Sequence, residues 1–172
     1  DKSTPWENIH LIRSIVSTRE MGFLPGTAEE KLQPFIIPYI SLCEDLFTKK
    51  DAFQQLIEQE VINFHSTSFI RGQTFDRSII IVDEMQNMSR HELSSVITRC
   101  GLDTRIIFCG DYYQSDFVKK SERDSLLDFL KILQVMKNFT TVEFTWADIV
   151  RSDLVRDFII TSEMFDKGEL EL

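Results

Sequence analysis

Long hydrophobic runs are missing from this 172-residue chain. No window approaches the roughly 18 uncharged apolar residues of a membrane-spanning helix, which excludes a helical span. Cysteine is sparse and unpatterned: Cys43, Cys100 and Cys109 are widely spaced, odd in number and without a C-x-x-C pair. None of them shares metal-ligand spacing with His10, His65 or His91, which argues against a structural zinc. They read as reduced core or near-core thiols of a cytoplasmic protein. Basic residues are also in deficit. Lys and Arg number 19 against 28 Asp and Glu, a net charge of −9, which argues against a surface built mainly to attract nucleic acid. A local basic groove stays open. No secretory signal is evident and no Met precedes Asp1, so the native N-terminus is expected elsewhere. The residues present, 42% hydrophobic and 27% charged, describe one soluble globular domain.

The stretch that organises the chain is Ile79-Ile80-Ile81-Val82-Asp83-Glu84-Met85-Gln86-Asn87. Consecutive branched aliphatic residues bounded by turn residues read as a strand covered on both faces, as in a parallel sheet flanked by helices. The two acids then fall at its C-terminal edge, where open α/β sheets bind ligands. Adjacent carboxylates at a strand end suit phosphate chemistry: one can hold Mg²⁺, the next can position or deprotonate a water. The plainer alternative is a buried strand that ends in a solvated acidic turn.

Around this stretch the patterning predicts alternating strands and helices. Residues 6–16 read as a strand ending near Arg13 or Ser14, followed by a Gly- and Pro-punctuated turn at 17–26. Thr27 with Glu30 resembles a capping box, and Pro34 and Pro38 are expected to break the pattern into short pieces before residue 39. Helices are expected at 39–47 and 52–60, a short strand at 61–64 and an exposed polar loop at 65–75 around Arg71-Gly72. Ser89 is an N-cap for a helix to about Arg99, closed by Gly101 as its C-cap. A second apolar strand at 105–109 leads into Gly110-Asp111, which brings Asp111 and Gln114 to the same sheet edge as Asp83 and Glu84. A helix opened by Ser121 or Asp124 turns Leu126, Leu127, Leu130, Leu133 and Val135 to the core. A β-rich run at 140–144, an amphipathic helix at 153–164 and an acidic tail at 166–172 complete the chain. This alternation is that of a parallel α/β sheet.

With these blocks assembled, the sequence resembles the PhoH-like family, the phosphate-starvation-inducible ATPases related to the first core domain of superfamily 1 helicases. The resemblance covers residues 9–165 and rests on five blocks in order. These are Gly22-Phe23-Leu24-Pro25-Gly26 with Glu30-Lys31; Arg71-Gly72-Gln73-Thr74-Phe75; Ile81 to Asn87; Gly110-Asp111-Tyr112-Tyr113-Gln114-Ser115-Asp116; and Asp148-Ile149-Val150-Arg151-Ser152-Asp153-Leu154-Val155. It implies a RecA-like P-loop NTPase, a three-layer α/β/α domain over residues 1–165 with a mostly parallel sheet. It implies ATP and Mg²⁺ as ligands and water attacking the γ-phosphate. Asp83 then matches the Walker B aspartate and Glu84 the carboxylate that orients or deprotonates the water. Gln86 would sense the γ-phosphate, Asp111 is a candidate cofactor-binding residue, Gln114 matches a helicase-like sensor, and Arg151 matches an arginine that reaches the γ-phosphate within the chain or across a subunit interface. Arg13 and Arg71 become candidates for nucleic-acid or interface contacts. RNA, single-stranded DNA and a homo-oligomeric ring are the implied partners.

One part of the family pattern is missing. A phosphate loop reads G-x-x-x-x-G-K-[S/T], and no such motif occurs here. Lys2-Ser3 lacks the preceding glycines and the room for a subsequent helix before Ile9. The expectation is a piece of a longer protein whose preceding segment carries the first strand and the phosphate loop, with this chain alone inactive. Two alternatives are a non-catalytic RecA-like module that binds nucleic acid or protein, and an RNA-dependent helicase-like motor.

Overall fold

The apolar runs at 8–13, 62–66, 78–83 and 105–108 are all strands, and all are parallel. The computed structural model describes residues 4–14, 28–111 and 120–170. They fall into two compact units, residues 1–131 and residues 132–172. In the first unit β1 (Asn8–Arg13), β2 (Ile62–Ser66), β3 (Ser78–Asp83) and β4 (Arg105–Phe108) form one sheet in the order β2-β1-β3-β4. The expected parallel α/β architecture is therefore present and is consistent with a RecA-like domain.

Register decides which side chains share a face. Leu11 lies between Phe64 and Ile81, and Arg13 between Ser66 and Asp83. Two helices cover this face: α1 (Ala28–Phe47) and α2 (Ala52–Glu58). Ile36, Tyr39, Ile40 and Cys43 from α1 and Phe53 from α2 pack with Leu11, Ile62, Phe64 and Ile81. The opposite face carries His10, Ile12, Ile80, Val82 and Phe108. A third helix, α3 (Arg90–Ile97), opens with a complete Ser89–Glu92 capping box and buries Leu93 and Val96. Phe129 of α4 (Lys120–Val135) meets Phe108 edge-on at 5.5 Å between ring centroids.

Several expectations are corrected. Pro34 and Pro38 do not break the helix, because α1 runs through both. A proline inside a helix removes one hydrogen bond and crowds the preceding turn. Here burial of the α1 face against Leu11, Phe53 and Ile62 outweighs that local cost, as tertiary packing commonly does. The segment after β2 is not simply an exposed loop: Arg71 and Gly72 are exposed, but Thr67, Ile70 and Phe75 are buried. Gly101 does not cap α3; Thr98 does. A Cβ at Gly101 would fall on the Asp76 carboxylate and near Thr74, so glycine is required there for close approach. Val135 is 83% exposed, and the buried residues of α4 are Leu126, Phe129 and Leu133.

In the second unit residues 140–144 form no strand. Val142 and Phe144 are exposed and find no neighbouring strand among the described residues, without which β propensity has nothing to act on. Thr145 caps a 3-10 turn, Trp146–Asp148, and α5 (Asp153–Asp166) comes next. Trp146 Nε1 donates to Glu163 of α5 at 2.9 Å, and the Lys167 ammonium lies 5.4 Å from the indole centroid. Thr27, expected as a cap, and the turn expected at residues 17–26 lie outside the described residues.

A pair of histidines is packed into the face opposite α1. His10 Nδ1 and His65 Nε2 lie 3.0 Å apart, and Phe75 stacks on His10 at 4.3 Å. Burial first, then the His65 charge, lowers His10 from 6.5 to about 4, and burial lowers His65 as well. Between these two pH values the unfolded chain takes up a proton at His10 that the folded chain refuses. The His10 contribution to folding stability is therefore complete above pH 6.5 and is lost as pH falls towards 4. The midpoint of urea unfolding should accordingly drop between pH 7 and pH 5, and His10→Gln should flatten that dependence. An unchanged midpoint across the interval would contradict this account.

Candidate active site

β1 ends in Arg13 and β3 in Asp83, and the parallel register sets the two side by side at the C-terminal edge of the sheet. Glu84 comes next in the left-handed region (φ 52°, ψ 43°), immediately before the 3-10 turn Met85–Asn87. A non-glycine residue there costs on the order of 1 kcal/mol and needs surroundings that enforce it. Two backbone bonds do so: Cys109 N–H donates to Val82 C=O at 2.8 Å, and Met85 N–H to Cys109 C=O at 2.9 Å. The chain leaving β3 is thus sewn to the chain leaving β4.

The side chains close the same turn. Buried Gln86 donates through Nε2 to Glu84 Oε2 at 2.5 Å and accepts from Asp111 N–H through Oε1 at 3.2 Å. One amide therefore joins the acidic turn to the loop after β4. Gly110 permits this approach, since a Cβ there would lie 2.5 Å from Gln86 Oε1 and 2.6 Å from Met85 Cγ.

Charge is balanced across the strand ends. Arg13 Nη1 lies 4.0 Å from Asp83 Oδ2 and Nη2 lies 3.5 Å from Glu84 Oε1. These partly exposed pairs contribute about 1 kcal/mol or less each. Two α1 residues one helical turn apart complete the arrangement. The Phe35 ring lies 5.6 Å from the Arg13 guanidinium carbon, and Tyr39 Oη donates to Asp83 Oδ2 at 2.5 Å. Burial, the bond to Asp83 and the Asp83 charge hold the Tyr39 phenol well above its ordinary range, and Arg13 offsets this only in part. Burial and then the Asp83 charge push the Cys109 thiol up, which makes it a poor nucleophile.

Glu92 ties together three elements beside this edge. Its carboxylate accepts from Thr67 Oγ1 at 2.6 Å, Ser14 Oγ at 3.0 Å and the Ser89 backbone at 2.9 Å. Burial alone would raise this carboxyl, and those hydrogen bonds overcome it and leave it below the ordinary range.

Asp83, Glu84, Gln86 and Asp111 thus come together as the spacing predicts, and Arg13 joins them through its ion pairs. Arg71 is exposed and makes no ion pair among the described residues. Arg151 is exposed in the second unit, directly before the Ser152 cap of α5. Gln114 lies outside the described residues. Sequence reasoning missed three participants, Phe35, Tyr39 and Glu92. Glu92 carried a signal as the third residue after Ser89; Tyr39 carried none, because its partner is 44 residues away.

No group of three or more His, Cys, Asp or Glu able to hold a metal ion occurs among the described residues. Mg²⁺ commonly binds one or two carboxylates and completes its shell with substrate phosphates and water. Asp83 has the right form for this: its Oδ2 carries the Tyr39 bond, and its Oδ1 takes no hydrogen bond from a described residue.

A family model described as "PhoH-like protein" matches residues 2–163. The chain belongs to the PhoH-like family. A PhoH-like protein of Bacillus subtilis (strain 168) is 30% identical over 162 residues, covering 94% of this chain and 49% of its own length. One from Synechocystis sp. is 30% identical over 165 residues, with 95% and 48% covered. Protein PhoH2 of Bacillus subtilis (strain 168) is 35% identical over 117 residues, with 64% and 26% covered. This PhoH-like chain spans about half the length of the first two relatives. No helix among its described residues is long and apolar enough to cross a membrane.

Gly110→Ala should displace Gln86 and destabilise the PhoH-like chain by about 1–3 kcal/mol, read from urea unfolding. A neutral effect would show that the turn is looser than described.

Proposed function

We propose that this chain is the acid-bearing part of an ATP-hydrolysing PhoH-like protein whose phosphate loop is supplied by a segment outside these residues. The observation that carries the reading is the turn at the end of β3, where Asp83 and Glu84 are adjacent, differently oriented by the left-handed backbone at Glu84, and separately held.

In this reading Asp83 holds Mg²⁺, commonly through water. The ion, when bound, supplies charge neutralisation to the phosphates. Glu84 orients the attacking water and accepts its proton at Oε1 or Oε2. Gln86 keeps Glu84 in place and passes any movement of that carboxylate to the Asp111 backbone, because one amide holds both. Arg13 lowers the repulsion between the two acids before substrate arrives and can turn to phosphate oxygens afterwards. Gln114 as sensor, Arg151 on the γ-phosphate, and Arg71 towards RNA, single-stranded DNA or a neighbouring subunit complete the proposal. The family resemblance supports these roles.

A second reading, a non-catalytic interaction module, is favoured by one observation. Arg13 lies between both acids and offsets part of their charge from within the chain. Nucleotide titration separates the two, since only the ATPase requires Mg²⁺-ATP binding by the full-length protein. In that protein Glu84→Gln should reduce kcat for ATP hydrolysis by about 100-fold or more while leaving ATP affinity within about threefold. Parallel loss of binding and turnover would contradict the role given to Glu84.

A further inference from the structure

Asp83 is held from helix α1 as well as from its own sheet. Resting on the reading of Asp83 as a magnesium-facing residue, we propose that Tyr39 is a positioning residue that fixes Asp83 by its Oδ2 oxygen and leaves Oδ1 to the metal shell. Tyr39 Oη donates to Oδ2 at 2.5 Å, and the Arg13 Nη1 contact falls on that same oxygen. No described residue donates to Oδ1.

The placement of Tyr39 suits such a role. Its ring lies 5.8 Å from Phe64 of β2 and packs on the cluster around Leu11, Phe53 and Ile62. An aromatic ring with two side-chain torsions, wedged between a helix and a strand, brings its hydroxyl to one point with little freedom. Phe35, one turn earlier on α1, lies beside the Arg13 guanidinium. The same helix face therefore supports both the carboxylate and its counter-charge. Each aromatic residue directly succeeds a proline, Pro34 or Pro38, so the segment of α1 facing the site is also the one with missing backbone donors. Without Tyr39, Arg13 would be the only described group holding the Asp83 carboxylate, and it reaches Asp83 only at 4.0 Å. Partners of this kind, one step removed from the metal, orient ligands and change metal affinity when lost.

A tyrosine that merely satisfies its hydroxyl in the core would change stability and leave metal affinity alone. The test is Mn²⁺ affinity, measured by the electron paramagnetic resonance of free Mn²⁺, for the full-length protein saturated with adenylyl imidodiphosphate. Tyr39→Phe, which keeps the ring contacts, should weaken Mn²⁺ binding about tenfold. Asp83→Asn, measured alongside, should weaken it further. Weakening by Asp83→Asn with no effect of Tyr39→Phe overturns the role of Tyr39 alone. No effect of either substitution overturns the metal reading of Asp83. Should Tyr39→Phe fail to fold, 3-fluorotyrosine placed at position 39 provides a second readout. Its ¹⁹F resonance should move on Mg²⁺ titration of the nucleotide-bound protein, and a resonance unmoved at saturating Mg²⁺ overturns the proposal.

Discussion

Two carboxylates on consecutive residues at the end of a buried strand repel each other, and a single arginine from the adjacent strand relieves that repulsion. The rest of the site depends on this contact. Unit charges 4 Å apart interact by about 4 kcal/mol at an effective dielectric constant near 20, of which solvent screening leaves a fraction. Arg13 reaches both acids only because β1 and β3 are parallel and in a register that sets residue 13 beside residue 83. A slip of one residue would turn Arg13 to the His10 face and leave the acids without their counter-charge. The apolar pattern that fixes the register, Leu11 against Ile81 and Ile12 against Val82, therefore also fixes the electrostatics.

The second constraint is the left-handed residue at Glu84. Asp83 continues the strand and faces α1, whereas the backbone reversal at Glu84 redirects the next carboxylate to Gln86. Two chemically similar groups acquire separate neighbours, Tyr39 for one and an amide for the other. Since Gln86 also accepts from Asp111, the turn after β3 and the loop after β4 form one hydrogen-bonded unit. A ligand that moves either must move both, which is how a phosphate-dependent signal would leave this edge.

The strands were legible because uninterrupted apolar residues at 79–82 and 106–108 read as strands of a parallel sheet, although Ile107 of the edge strand β4 stays exposed. Asp83, Glu84, Gln86 and Asp111 were legible because each sits next to such a strand, so chain order alone brings them to one edge. The continuity of α1 was not legible. Pro34 and Pro38 are local signals, while the packing that overrides them comes from residues 11, 53 and 62. The run at 140–144 failed for the converse reason, a local β preference with no described strand to pair with. Tyr39 belongs to the same class as α1, since its partner is set by three-dimensional packing and not by spacing along the chain.

If a triphosphate sits at the C-terminal end of β3, Asp83 and Glu84 have different work there. A crystal structure of the full-length protein with Mg²⁺, ADP and beryllium fluoride would test this directly. The account predicts the metal within one water of Asp83 and the Glu84 carboxylate facing the fluoride group that stands in for the γ-phosphate. Nucleotide bound away from the end of β3, with the Arg13 ion pairs to both acids unchanged, would contradict it.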